Sequence, residues 1–145
     1  MLAAALLLTA SSCGAAQRLE VTTAPLNVDL GVAPRGPILL HIDDVRVAGG
    51  ESAMLRLFVN TPHATAKTSM GDRGFLQDLY LVPSRSAKGG WSRGQNFVIP
   101  IPAEAARSGG ISITIVPIEA SAGGEMSAGG SVHVRFKRPY VTDGP

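Results

Sequence analysis

The sequence predicts an all-β fold, an antiparallel β-sandwich of roughly six or seven strands with one short helical turn. Three observations predict it. Short apolar runs alternate with a period of two, so each presents one face to a core. Glycine and proline are abundant, at 17 and 10 of 145 residues, and paired glycines lie between the runs, where the chain must turn. Helix signals occur in one short segment only, so crossover helices are lacking and the strands must pair antiparallel.

The elements follow in order. Residues 1–16 read as a targeting segment, 17–35 as an N-terminal segment and 36–141 as the sandwich domain. Met1 to Leu8 is an apolar run too short to span a bilayer, and small residues follow it, as in a secretory signal. No Lys or Arg precedes Arg18, so the basic start of such a signal is missing from these residues. Two processing routes fit. Gly14 and Ala16 suit cleavage before Gln17, while Ala10-Ser11-Ser12-Cys13 resembles a bacterial lipobox, with Cys13 the lipidation candidate. Either route removes or blocks the one thiol, leaving the domain without a disulfide. The expected location is therefore outside the cytoplasm, periplasmic or on the outer cell surface, with membrane anchoring through an N-terminal lipid on the second route.

A short strand is expected within Leu19 to Val28. Ile38, Leu40 and Ile42 share a face, after which the apolar positions change parity. One extra residue swaps faces, so a bulge is predicted near Asp43-Asp44. Leu55, Leu57 and Val59 oppose Arg56, Phe58 and Asn60. Phe75 to Val82 is apolar on both faces apart from Gln77 and Asp78, and reads as a central strand. Phe97, Ile99 and Ile101 share a face. Pro102 to Arg107, with Gly109 beyond, has the punctuation of one or two helical turns. Ile111, Ile113 and Ile115 alternate with Ser112 and Thr114, and Val132, Val134 and Phe136 alternate with His133, Arg135 and Lys137. Gly123 to Gly130 reads as a hairpin tip. Pro83, Pro100 and Pro117 are expected at strand ends or edges, where a missing N–H costs little.

Composition narrows the function. Apolar residues make up 45% and charged residues 17%, which suits one packed domain rather than a coiled coil or a disordered chain. The net charge is +2, and the basic residues are scattered apart from Arg135-Phe136-Lys137-Arg138. Nucleic-acid binders concentrate such residues and interleave aromatic platforms, so a nucleic-acid partner is not expected.

No cofactor, metal or catalytic residue is expected either. The histidines His41, His63 and His133 lack metal-ligand spacing. His63 with Met70 would offer a soft copper site only two loop ligands. Asp43 and Asp44 are adjacent, so on a regular strand they would point to opposite faces and could not work as a carboxylate pair. No nucleophile elbow occurs among the serines, and a turn accounts for Gly71-Asp72-Arg73-Gly74. Gly89-Gly90-Trp91-Ser92-Arg93-Gly94 places the one tryptophan in a loop beside an arginine, a pair able to anchor a partner. The alternative is that Trp91 folds back as a lid on the core. Trp91, Arg93, His63 and Met70 are the interaction candidates.

Met54-Leu55-Arg56-Leu57-Phe58-Val59-Asn60 resembles a strand of the C-terminal β domain of tyrosinases and polyphenol oxidases. Phe75 to Val82, Asn96 to Ile101 and Ile111-Ser112-Ile113-Thr114-Ile115-Val116-Pro117 continue the resemblance, and Ser131 to Phe136 matches the closing strand. It spans roughly residues 36–138. In that family the coppers sit in a separate helical domain, each held by three histidines, so no copper ligand carries over. The resemblance implies a non-catalytic accessory domain that packs on, or shields, a tyrosinase-like type-3 copper protein. A membrane-anchored lipoprotein module binding a ligand or envelope component is the alternative.

Overall fold

A computed structural model describes residues 17–48, 51–82, 90–107, 109–120, 126–127 and 132–145. The lipidation candidate Cys13, the targeting segment and Pro83 lie outside them, as does the expected hairpin tip apart from Met126 and Ser127. The described elements are β1 (Arg18–Val21), β2 (Leu26–Val32), β3 (Ile38–Val47), β4 (Ala53–Val59), β5 (Phe75–Leu81), β6 (Gln95–Ile101), α1 (Ala103–Ala106), β7 (Gly110–Ala120), β8 (Met126–Ser127), β9 (Val134–Lys137) and β10 (Tyr140–Asp143).

They form two antiparallel sheets. In sheet 1, β3 pairs with β6 along one side and with β9 and then β10 along the other, and β1 pairs with β9. In sheet 2 the order is β2-β7-β4-β5, with β8 on the end of β7. The core lies between the sheets. Ile38, Leu40, Ile42, Val45 and Val47 of β3 face Leu55, Leu57 and Val59 of β4 and Ile111, Ile113 and Ile115 of β7, all buried. The all-β sandwich follows directly from the alternation in the sequence.

Local signals explain the details. The pairing of β3 with β6 shifts register between Ile42 and Val45, and Asp44 there adopts φ 53, so the parity change marks a bulge. On the other side of β3, Arg138 and Pro139 interrupt β9 and β10 opposite this bulge. Pro100 lies in β6, which pairs only with β3 among the described residues, so its missing N–H can face solvent. Pro117 lies between the last residue of β7 paired with β2, Ile115, and the first paired with β8, Glu119.

Three expectations change. The described chain has ten strand pieces rather than six or seven. The 17–35 segment, set apart in the sequence, supplies β1 to sheet 1 and β2 to sheet 2. Phe75 to Val82 is not a central strand, because β5 pairs only with β4 among the described residues. The central strand is β4, where every residue but Arg56 is buried. The two-sided apolar pattern of β5 comes from Phe75, which packs outward in a second cluster, and from Tyr80, which faces outward and is 63% exposed.

That cluster covers the middle of the outer face of sheet 2, leaving Tyr80 at its edge exposed. Met54, Phe58, Val116 and Ile118 point away from the main core and are roofed by Ala64 and Ala66 of the 60–74 loop. Phe58 and Phe75 meet edge-on with centroids 6.0 Å apart. The buried Thr114 hydroxyl donates to Thr61 O at 2.9 Å and accepts from Asn27 Nδ2, pinning the loop to the sheet.

Candidate functional site

The outer face of sheet 1 carries a different set of side chains. Because Leu40 and Ile42 point inward, His41 points outward. Its neighbour across the ladder is Tyr140, and the two rings stack with centroids 4.7 Å apart and planes 3° from parallel. His41 Nε2 is 2.8 Å from the Thr142 hydroxyl, and the Tyr140 hydroxyl donates to Asp43 at 3.2 Å. Packing against the sheet, then the bond to Asp43, raises the Tyr140 phenol above its ordinary pKa. On the far side of His41 lies Val98 of β6. Val98 is 55% exposed and Tyr140 46% exposed, so this row of apolar surface is open.

Beyond the bulge the face turns basic. Val134 and Phe136 face the core, so Arg135 between them faces out, opposite Arg46 on one side and Glu20 on the other. Its guanidinium lies over the Trp91 ring, 4.1 Å from the centroid. Arg135 Nε is buried and has no hydrogen-bond partner among the described residues, so the ring face is its compensation for lost water. Trp91 is held by main chain. It bridges Ala48, while the adjacent Ser92 donates its N–H to Val47 O at 2.8 Å and accepts the Val47 N–H at 2.9 Å. Trp91 is therefore half-buried against the outer face of sheet 1 and does not enter the core as a lid. Arg93 is exposed beside it.

The bulge organises the charges. Asp44 receives Arg46 Nε at 2.7 Å and Arg18 Nη2 at 2.9 Å. The hydrogen bond from Arg46, helped by the charges of Arg46, Arg18 and Lys137 against partial desolvation, holds the Asp44 carboxyl below its ordinary pKa. A Cβ at Gly94 would collide with the Asp44 carboxylate, so any larger residue there would displace that carboxylate from its present position between Arg46 and Arg18. The adjacency rule for Asp43 and Asp44 fails here because the strand is not regular. Both carboxylates meet outward-facing partners, Tyr140 for Asp43 and the two arginines for Asp44.

His63 and Met70 are exposed on the loop that roofs sheet 2. They thus lie on the side of the sandwich opposite Trp91 and Arg93, so the four interaction candidates are not brought together. His41 is likewise on the far side from His63. Exposed His133 sits 3.3 Å from a Glu51 carboxylate oxygen. No group of three or more His, Cys, Asp or Glu able to hold a metal occurs among the described residues.

Two clefts flank α1 at one end of the sandwich. One, of about 900 Å³, is lined by residues that include Thr61, Asp72, Arg73, Gly74 and Glu104. Several of its polar groups are used internally: Thr61 Oγ1 donates to Val59 O, and Asp72 Oδ1 accepts the Gly74 N–H. The other, of about 740 Å³, runs between the 34–37 loop and the 100–107 segment.

Sequence reasoning missed Arg135, Tyr140 and His41 as a surface set. The alternation puts His41 and Arg135 in outward positions, whereas Tyr140, in step with inward-facing Val134 and Phe136, turns outward only because Arg138 and Pro139 break the parity. The adjacency of all three depends on which strands pair. Comparison with protein-family models and with curated proteins finds no match. The class defined by fold and surface is a two-sheet antiparallel β-sandwich whose outer faces differ, one roofed over its middle by a loop and the other open along the His41–Tyr140 row.

Proposed function

We propose that this chain is a non-catalytic, exported accessory domain that binds another protein through the outer face of sheet 1, and that the partner is a tyrosinase-like type-3 copper oxidase. One observation carries the binding reading: the His41–Tyr140 stack and the Trp91–Arg135 stack stand on the same open sheet face. Tyr, Trp and Arg dominate interface energetics: Tyr and Trp bury a large area with only two side-chain torsions, Arg presents a planar guanidinium that stacks and hydrogen-bonds, and each retains a polar handle. The β ladders hold these anchors in place, so little ordering entropy is lost on binding. The choice of partner rests on the sequence resemblance carried by Met54 to Asn60 and Ile111 to Pro117.

The test is affinity capture of the tagged chain from the organism that encodes it, with an unrelated exported protein as control. A type-3 copper protein should be enriched, and a Trp91→Ala/Tyr140→Ala double variant should lose at least about tenfold of it. Absence of such a protein, or equal capture by a folded double variant, overturns the proposal. Labelling with a palmitate analogue tests the anchor at Cys13. Unlabelled mature protein beginning at Gln17 would remove that part.

A further inference from the structure

The groove between the 34–37 loop and the 100–107 segment has the composition of a ligand site. Leu39 and Pro100, on the outward side of their strands, form an apolar bed beside Pro34 and Pro37, with Ile38 and Ile101 buried beneath it in the core. Arg35 and Arg107 line it from opposite walls. Both arginines are exposed, and neither guanidinium has an ion-pair or hydrogen-bond partner among the described residues. Their situation contrasts with Arg18, Arg46 and Arg56, each of which holds a carboxylate. A volume near 740 Å³ is in the range of small-molecule pockets.

The walls are set in place before any ligand arrives. Pro34 and Pro37 restrict the backbone of the first wall, and Gly36 between them takes φ 106, a conformation other residues resist. The Gly144 N–H donates to Pro37 O at 2.6 Å, fastening this loop to the segment after β10. The Ala33 N–H donates to Gly109 O at 3.2 Å, joining the loop that bears Arg35 to the link that follows Arg107. Asn60 Nδ2 donates to Ala105 O at 3.0 Å and holds α1 from the other side. A groove held this way keeps its shape, so binding costs little reorganisation.

We propose that this groove binds an organic acid with an apolar body, the chain or ring lying on Leu39 and Pro100 and the carboxylate engaging Arg35 and Arg107. Two chemical requirements follow. The apolar body supplies affinity by leaving water, and the planar guanidinium forks supply selectivity for a carboxylate. This inference is independent of the partner-binding proposal, because the residues it uses differ from Trp91 and Tyr140.

Titration calorimetry with decanoate tests it. Decanoate should bind one to one with Kd of about 100 µM or tighter. Decanol, which lacks the charge, and acetate, which lacks the tail, should each bind at least about tenfold more weakly. An Arg35→Gln/Arg107→Gln variant with unchanged melting temperature should weaken decanoate about tenfold or more, whereas Arg73→Gln at the neighbouring cleft should stay within about twofold. If the double variant is destabilised, Arg35→Gln alone, on an exposed loop, should still cost about threefold. Methyl resonances of Leu39 and Ala103, both lining the groove and accessible, should shift with decanoate. Absent binding, decanol binding as tightly as decanoate, unchanged affinity in the folded arginine variants, or shifts confined to other residues would each overturn the proposal. The Trp91→Ala/Tyr140→Ala variant should bind decanoate as the unmodified chain does, which keeps the two proposals separable.

Discussion

The two outer faces of the sandwich begin from the same strand geometry and end differently. On sheet 2 the outward positions of β4 and β7 hold Met54, Phe58, Val116 and Ile118, and the chain returns over them with the 60–74 loop. On sheet 1 the outward positions hold His41, Arg46, Arg135 and Tyr140; Trp91 covers Arg135, while Tyr140 stays 46% exposed. The ion pairs follow the same division. Arg56 and Asp78, directly opposed on β4 and β5, meet through two hydrogen bonds of 2.8 and 3.0 Å with side chains only 14% and 12% exposed. The hydrogen bond to Asp78 raises the Arg56 pKa further. Asp44 instead shares two more exposed arginines. The difference teaches that an outward apolar set demands a cover of its own, whereas an amphipathic set tolerates water and stays available to a partner.

The largest expected effect tests the roofed face. Phe58 is fully buried, so Phe58→Ala should cost about 3–5 kcal/mol of unfolding free energy, measured by urea denaturation. A cost below about 1 kcal/mol would mean that the 60–74 loop does not roof this face. Next, Asp78→Ala strands the Arg56 guanidinium under partial burial and should cost about 1–3 kcal/mol in the same assay. Equal stability of variant and parent would place this pair with ordinary surface ion pairs.

The open face should respond weakly. Tyr140→Ala loses a half-exposed stack and one hydrogen bond, for less than about 1 kcal/mol. A loss comparable to that of Phe58→Ala would show that sheet 1 depends on its outer face for stability, and the contrast between the faces would collapse. The smallest effect is the acid limb. The folded-state pKa of Asp44 is lowered, so its ionised form contributes stability above about pH 4, lost as pH falls through the lowered value. Asp44→Asn should therefore change neutral stability by less than about 1 kcal/mol, yet flatten the fall in melting temperature between about pH 4 and pH 2. Parallel acid limbs would remove Asp44 from the acid response.

Much of the fold was legible because alternation reports burial directly. The parity change after Ile42 located the bulge, Pro102 and Gly109 bracketed α1, and Pro100 marked an edge. Phe75 to Val82 misled for a physical reason: Phe75 packs under the 60–74 loop and not against a second neighbouring strand, while Tyr80 and Val82 stand exposed, so two-sided apolarity did not report strands on both sides. A loop and a neighbouring strand leave the same trace. The surface was less legible than the core. Trp91 stood out by rarity and its loop, but nothing local to it specified Arg135, 44 positions along. Arg35 and Arg107 lie similarly far apart in the chain and share a groove only because β3 pairs with β6.

What the sequence determined by itself is therefore the class and the inward faces: antiparallel strands, a two-sheet core and the break in β3 at Asp43-Asp44. These are local properties, set by side-chain period, turn residues and missing N–H groups within a few residues of one another. The tertiary structure decided which strands lie at edges, which outer face is roofed and which distant side chains meet. Those outcomes depend on long-range strand pairing, where many arrangements satisfy the same local pattern and only the packing of the whole core selects one.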